Sequence, residues 1–273
     1  MGNLIQLLGY PRSGSTWVAE MLSLAAGPFV PEPFNMFQVG IGSHSNIQWL
    51  RGLDPPANEE FPYSGIQQRI TPICRKWCGV NLANYPDAQA EIYKFIDEIR
   101  ELCPWAVGWK QLVHVPEFAE RCGGRLLYLL RNPVGVVASH AVIVRDTAAG
   151  VSWPMMMVNN MEQYQPGLWA TVDAPDTICG KLAKVYKLRA ENDWRRLQPL
   201  GAKLLWFEDF VVNNGMAWGD LLHWLDLEPT AEFEKRLQET MAPTVKPIAY
   251  DPELMDAVKA VFGNGWGVGS GSA

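Results

Sequence analysis

Several features that are missing from this sequence each exclude a class of protein. No apolar run approaches the roughly 20 residues that a membrane-spanning helix needs. The first residues lack the basic start, the apolar stretch and the cleavage site of a secretory signal. Lys and Arg number 23 against 29 Asp and Glu, so the formal net charge of −6 gives no long-range attraction for nucleic acid. We therefore expect a cytoplasmic protein without a membrane or nucleic-acid partner.

Cysteine is also scarce, and its pattern bears on redox state and metal content. The five cysteines are odd in number and scattered, which favours reduced thiols. Cys74 and Cys78 have no second Cys or His pair nearby to complete a zinc site, so we expect no metal there. Hydrophobic residues make up 48% of the 273 residues, which is enough for a sizeable core. We predict one domain over residues 1–265 and a flexible tail over 266–273.

Apolar runs alternate with helical patterns along the chain. Buried strands are predicted at Leu4–Leu8, Leu126–Leu130 and Lys203–Phe207, and helices follow the first two at Ser15–Ala26 and Val134–Val144. A further strand is predicted at Trp105–Trp109, and further helices at 87–102, 177–197, 216–225, 230–241 and 252–262. This alternation indicates an α/β fold with a parallel sheet and helices on both faces. We interpret residues 27–82 and 148–175 as irregular excursions, and expect that a stretch as long as 27–82 is either functional or contains helices that its pattern does not show.

The stretch Gly9–Thr16 has the spacing of a phosphate-binding loop, GxxxxG-x-[ST], between a strand and a helix. Its glycines let backbone N–H groups curl around an anion, and the helix N-terminus adds a positive end. Ser15 replaces the lysine that reaches the phosphates of ATP in P-loop enzymes. The cation is instead Arg12, inside the loop. A glycine turn that binds nothing is the simpler alternative, but the arginine and the hydroxyls of Ser13, Ser15 and Thr16 make it less fitting.

A second strand–helix junction offers another candidate phosphate site. Arg131 follows the strand Leu126–Leu130, and Ser139 lies eight residues later on the next helix. The two side chains can converge on one phosphate, and a charge-assisted arginine contact is the usual way to hold it.

Both junctions resemble motifs of the PAPS-dependent sulfotransferases, where PAPS is 3′-phosphoadenosine 5′-phosphosulfate. Residues Tyr10–Trp17 match the 5′-phosphosulfate loop Y-P-[KR]-S-G-[ST]-[ST]-[WF], and Tyr128–Pro133 with Ser139 match the 3′-phosphate motif. A weaker match, Leu205–Phe210, resembles R-Y-E-D-L with Phe207 in place of Tyr. The resemblance covers roughly residues 3–225 and implies a P-loop nucleotide-kinase-like sulfotransferase fold. By the resemblance, PAPS contacts come from Arg12, Ser13, Gly14, Ser15, Thr16, Trp17, Arg131 and Ser139.

Sulfuryl transfer needs a base at the acceptor and a cation at the leaving side. Arg12 is the candidate cation. Cytosolic relatives place their basic His after Lys-Thr, but here Leu112 stands at that position and His114 comes two residues later. Carbohydrate-type and bacterial relatives use the Glu of F-x-x-E-P, which resembles Phe29–Phe34 and makes Glu32 the favoured base. Lys110 either assists the transferring group or caps a strand end.

The resulting hypothesis is a metal-free sulfotransferase that uses PAPS as co-substrate. Its acceptor is a hydroxyl or amine of a small molecule or a carbohydrate. Trp49, Tyr63, Trp77 and Trp153–Met157 either line an acceptor pocket or belong to the core. Two alternatives stay open: a P-loop kinase for a small metabolite, and a nucleotide-binding protein without catalysis.

Overall fold

The computed structural model describes residues 4–32, 34, 64–146, 152–212, 214–239 and 251–263. The predictions for Trp49, Tyr63 and the tail at 266–273 lie outside these residues. No helix in the described part of the chain is both long enough and apolar enough to cross a membrane.

A five-stranded parallel sheet forms the centre of the molecule. Its strands are β1 (Ile5–Gly9), β2 (Phe29–Pro31), β3 (Gly108–Gln111), β4 (Arg125–Leu130) and β5 (Lys203–Trp206). The spatial order is β2-β3-β1-β4-β5, and each neighbouring pair is parallel. The predicted α/β class with a parallel sheet flanked by helices is therefore confirmed.

Helices connect the strands and cover the sheet. They are α1 (Ser15–Ala26), α2 (Ser64–Trp77), α3 (Pro86–Leu102), α4 (Val115–Cys122), α5 (Pro133–Asp146), α6 (Trp153–Tyr164), α7 (Pro166–Trp169), α8 (Ile178–Leu197), α9 (Phe207–Val212), α10 (Asn214–Leu225), α11 (Ala231–Glu239) and α12 (Pro252–Phe262). Short 3-10 turns lie at Leu82–Asn84 and Gln198–Leu200.

The two faces of the sheet belong to two separate cores. Successive side chains of a strand point to opposite faces, so Leu7 and Leu127 enter one core while Leu8 and Tyr128 enter the other. Helices α1, α9, α10 and α11 contribute to the Leu7 core, and α2 to α6, α8 and α12 contribute to the larger Leu8 core. The prediction of helices on both faces is correct.

Some predicted boundaries are wrong. The stretches interpreted as irregular contain β2, α2, α6 and α7 among their described residues, and α4 was not predicted. Pro72 lies inside α2 and obscured its helical pattern. Pro154 stands at the start of α6, where helices favour proline, so the signal for α6 was present and was missed. The strand expected at Trp105–Trp109 begins only at Gly108, and Phe207 starts α9 instead of ending β5.

Candidate active site

The turn between β1 and α1 lies at the point of the sheet where helices that follow neighbouring strands pass to opposite faces. Helix α1 leaves β1 toward the Leu7 core, whereas α4 and α5 leave the neighbouring strands β3 and β4 toward the Leu8 core. The loops at the carboxyl ends of these strands therefore diverge. In open parallel sheets the resulting crevice is where ligands bind. The predicted phosphate loop occupies this crevice.

Gly14 shapes the loop. It has φ 87° and caps the start of α1. A Cβ at this position would lie 2.3 Å from the Phe207 ring, so a larger residue would both strain the backbone and collide with α9. The first turn of α1 contains no acidic residue that would repel an anion. The N-terminus of α1 therefore has no negative side chain in its first turn and is able to accept an anion.

Ser13 supplies an unsatisfied donor in the same turn. Its backbone N–H donates to the Tyr10 carbonyl at 3.2 Å, which closes the turn. Its side chain is fully buried, and within the described ranges the Oγ has no hydrogen-bond partner. Buried polar groups are normally hydrogen-bonded, so an orphaned hydroxyl in a glycine turn fits a bound oxyanion.

Arg12 brings the two predicted phosphate motifs together. Its backbone is left-handed, with φ 68°, and its side chain is exposed. The Arg12 Nε donates to the Ser139 Oγ at 2.7 Å, and the Arg131 Nη1 donates to the Arg12 carbonyl at 3.4 Å. Residues that are more than 110 positions apart in sequence therefore form one cationic, hydroxyl-bearing group.

Arg131 is held from several sides. Tyr186 bonds its backbone: the hydroxyl donates to the Arg131 carbonyl at 2.6 Å and accepts from its N–H at 3.2 Å. The guanidinium lies 5.0 Å from the centre of the Phe207 ring, and its Nε is 4.0 Å from a carboxylate oxygen of Glu208. Burial lowers the pKa of Arg131, and the Glu208 carboxylate offsets part of this change. The side chain remains a positioned cation.

Glu32, Lys110 and Thr16 form a second group at the same edge of the sheet. Lys110 ends up beside Glu32 because β2 pairs with β3 in the register Pro31 to Lys110, and the Glu32 N–H donates to the Lys110 carbonyl at 2.8 Å. The Lys110 Nζ forms an ion pair with Glu32 and donates to the Thr16 Oγ1 at 2.5 Å. Lys110 thus connects the candidate base to the first turn of α1.

Lys110 and Glu32 differ in their exposure to solvent. The Lys110 side chain is only 3% exposed, whereas that of Glu32 is 20% exposed. Glu32 also has a left-handed backbone, with φ 38°. Such strain is kept only where surrounding structure enforces it, and it is often found at functional sites.

Comparison with known proteins gives structural likeness alone. No family model matches the chain, and no curated protein sequence matches it. The chain is similar to the sulfotransferase domain from the curacin biosynthetic pathway, with 16% identity, a TM-score of 0.43, and 85% of this chain and 77% of that chain covered. It is similar to the sulfotransferase domain from the Synechococcus PCC 7002 olefin synthase, with 13% identity, a TM-score of 0.41, and coverage of 94% and 93%. It is also similar to a sulfotransferase from Alicyclobacillus acidocaldarius, with 16% identity, a TM-score of 0.40, and coverage of 94% and 96%.

His114, the other candidate base, is enclosed. It is 1% exposed, with φ 56°, and its ring packs against Phe34 with 6.3 Å between ring centres. Neither ring nitrogen has a hydrogen-bond partner among the described residues. Burial lowers the pKa of His114 to about 3, so the imidazole is neutral at pH 7. The structure places it in the core next to Phe34.

Aromatic residues around the loop were largely missed by sequence reasoning. Trp17, which was predicted as a nucleotide contact, packs at 5.9 Å from Phe207 and 5.7 Å from Trp218. Tyr10 packs on His140 at 5.5 Å, and His140 packs on Trp153 at 4.8 Å. In the sequence, the only features that could have indicated these aromatic contacts were the position of Phe207 after a strand and that of Tyr10 beside Pro11. These rings form the support beneath the loop.

The site is rich in cations and hydroxyls. Within the ranges that the structure describes, no cluster of three or more His, Cys, Asp or Glu side chains could hold a metal ion. Arg12, Arg131 and Lys110 are the cations, and Ser13, Thr16 and Ser139 are the hydroxyls. This set can bind anions at two places, and the Glu32 carboxylate beside Lys110 can accept a proton.

Proposed function

We propose that this protein is a sulfotransferase that moves a sulfuryl group from PAPS to a hydroxyl or amine of a small-molecule or carbohydrate acceptor. The convergence of Arg12, Arg131 and Ser139 beside the glycine turn supports this proposal most directly. The two candidate phosphate motifs lie far apart in the sequence, and the nearness of their residues at one edge of the sheet supports a nucleotide with two separate phosphate groups.

The nucleotide side of the site would work as follows. The turn Ser13–Thr16 and the N-terminus of α1 hold the 5′ phosphate-sulfate end, and Arg131 with Ser139 holds the 3′-phosphate. Arg12 stabilises the negative charge that builds on the departing phosphate oxygen. A kinase would need a lysine in this turn and acidic ligands for Mg²⁺. The arginine and hydroxyl set instead favours a metal-free nucleotide.

The acceptor side would depend on Glu32. The acceptor oxygen or nitrogen forms a new bond to sulfur, the bond from sulfur to the phosphate oxygen breaks, and 3′,5′-ADP leaves. The acceptor proton passes to the Glu32 carboxylate. Lys110 holds that carboxylate against the start of α1 through its bond to Thr16, so base and nucleotide turn keep a fixed relation. His114 lacks such access because it is buried.

The test begins with calorimetry on the full chain. We expect 3′,5′-ADP to bind much more tightly than Mg·ATP or 5′-AMP, and without any effect of Mg²⁺. Tighter binding of Mg·ATP would contradict the proposal and favour a kinase.

The second stage uses ³⁵S-labelled PAPS with pools of sugars, phenols, alcohols and amines. We expect label to move to members of at least one pool. Tight binding of 3′,5′-ADP with no transfer to any pool would instead indicate a nucleotide-binding protein without catalysis.

A further inference from the structure

A polar cavity of about 260 Å³ lies outside the candidate active site. Its wall includes four amide side chains, one tyrosine and one arginine: Asn81, Asn84, Asn192, Gln165, Tyr164 and Arg195. They come from the 3-10 turn at Leu82–Asn84 and the residue before it, from the end of α6 and the residue after it, and from α8. Nothing in the phosphate motifs involves these residues.

The direction of α8 separates the cavity from the phosphate loop. Tyr186 contacts Arg131 beyond the carboxyl end of β4, and Trp194, further along α8, stacks on Tyr128 inside β4. Helix α8 therefore runs away from the active-site edge. Arg195 is nine residues after Tyr186, which places it about 13 Å further along the axis and on the opposite side of the helix. The cavity is on the outer face of α8.

The cavity wall is held in place by its own contacts. The Asn81 amide donates to the Asn192 Oδ1 at 3.2 Å and accepts from Arg196 at 3.0 Å. The Tyr85 hydroxyl donates to the Tyr164 carbonyl at 2.7 Å. Trp77 packs against Tyr164 with 5.1 Å between ring centres. A wall that is fixed before binding lowers the entropy cost of capturing a ligand.

Two groups in the wall lack partners. Gln165 is only 8% exposed, and among the described residues its buried Nε2 has no hydrogen-bond partner. The guanidinium of Arg195 takes part in no ion pair or hydrogen bond within the described chain. An unsatisfied buried amide calls for an acceptor, and the exposed guanidinium of Arg195 is able to pair with an anion that enters the cavity.

We propose that this cavity binds a small hydroxylated carboxylate of about the size of a sugar acid. Arg195 would receive the carboxylate, because its planar fork matches two carboxylate oxygens. Asn84, Asn192 and Gln165 would meet hydroxyl groups, since an amide both donates and accepts. The described part of the wall has one arginine and no acidic residue, so its charge suits a monoanion better than a phosphate dianion. The volume lies just below the roughly 300–1,000 Å³ of drug-sized pockets.

The test uses D-gluconate as the probe, with D-sorbitol as the neutral polyol of matching chain length. Calorimetry on the full chain should show binding of gluconate and at least about tenfold weaker binding of sorbitol. Arg195→Gln should weaken gluconate binding about tenfold or more. Arg100→Gln, which removes an equal charge from exposed surface on α3, should leave it unchanged.

The affinity for 3′,5′-ADP is measured on the same variants and should be unchanged by Arg195→Gln. This inference does not rest on the proposed activity, because gluconate binding is read directly. Three outcomes would overturn it: no gluconate binding at millimolar concentration, equal binding of sorbitol, or an equal loss in Arg195→Gln and Arg100→Gln. Competition between gluconate and 3′,5′-ADP would also overturn it, because it would place both in one site.

Discussion

Glu32 and His114 offer an instructive comparison, because both follow strands of the same sheet and both have left-handed backbones. They are two of the four non-glycine residues with positive φ in the described chain, with Arg12 and Asp226. Glu32 is partly exposed and paired with Lys110, whereas His114 is buried and its nitrogens have no hydrogen-bond partner among the residues that the structure describes. Backbone strain alone therefore does not distinguish the two candidate bases. Access and charge separate the two.

The largest expected effect is on turnover in Glu32→Gln. The amide keeps the shape of the side chain but cannot take a proton, so we expect the rate of sulfuryl transfer to fall by roughly 10²–10⁴. The affinity for 3′,5′-ADP should stay nearly the same. Rates and affinities of Glu32→Gln and His114→Asn are compared, with thermal melting to check that each variant is folded.

A near-normal transfer rate in Glu32→Gln together with a large loss of rate in His114→Asn would exchange the roles of the two residues. The base would then be the enclosed imidazole, and the chain would have to open around Phe34 for the acceptor to reach it.

Arg131→Ala should have the next largest effect, on the nucleotide side only. Loss of a positioned, partly buried cation should cost about 2–5 kcal/mol in the affinity for 3′,5′-ADP. The affinity for 5′-AMP, which has no 3′-phosphate, should change little. Calorimetry with both nucleotides measures the difference, and an equal loss for both would mean that Arg131 acts by supporting the loop as a whole.

Gly14 and Gly123 allow the stability cost of backbone strain to be measured apart from the cost of a steric contact, which Glu32 and His114 do not allow. Both Gly14 and Gly123 have positive φ, but a Cβ on Gly14 would meet the Phe207 ring at 2.3 Å, while one on Gly123 would meet no atom of the described residues within 4 Å. Gly14→Ala should therefore lower the free energy of unfolding by about 1–3 kcal/mol more than Gly123→Ala does. Urea denaturation of both variants gives these values. Adding Phe207→Ala to Gly14→Ala should recover part of the difference, and no recovery would argue against the contact.

The smallest expected effect concerns pH. The pKa of His114 is lowered to about 3 by burial, whereas the ordinary value is 6.5. The unfolded chain takes up a proton below pH 6.5 that the folded chain does not, so stability falls as pH falls from about 6.5 toward 3. His114→Asn keeps a residue that tolerates positive φ and removes this titration. The variant should lose roughly 1 kcal/mol less per pH unit between pH 6 and 4, as measured by denaturation at each pH.

The strand–turn–helix units at β1 and β4 could be predicted from the sequence because local signals define them. An apolar run, then glycine or proline, then a helical pattern fixed Ile5–Gly9 with α1 and Arg125–Leu130 with α5 to within a few residues. Helix α2 was missed because Pro72 disturbs its pattern, and α6 was missed although Pro154 stands at its start, where helices favour proline. Where a local signal is mixed, tertiary packing decides the structure, and the sequence shows no trace of it.

The ion pair of Glu32 with Lys110 could not be predicted. The two residues are 78 positions apart, and their contact depends on the pairing of β2 with β3. From the sequence, Lys110 was a candidate either to assist the transferring group or to cap a strand end. The strand register brings it to both Glu32 and Thr16. Likewise, the exclusion of His114 from solvent depends on packing against Phe34 that no motif encodes.

The ring of Phe207 touches the phosphate-loop side and the Arg131 side of the site at once. It blocks any side chain at Gly14, and it carries the guanidinium of Arg131 on its face at 5.0 Å. Under the proposed function, a ring in contact with both groups would set the distance between the two phosphates that they hold, so only a nucleotide with its phosphates that far apart could reach both. Selectivity among nucleotides would then depend on the spacing of their phosphates as well as on their charge, and Phe207→Ala, which removes the face on which Arg131 packs, should weaken both that selectivity and the hold on Arg131.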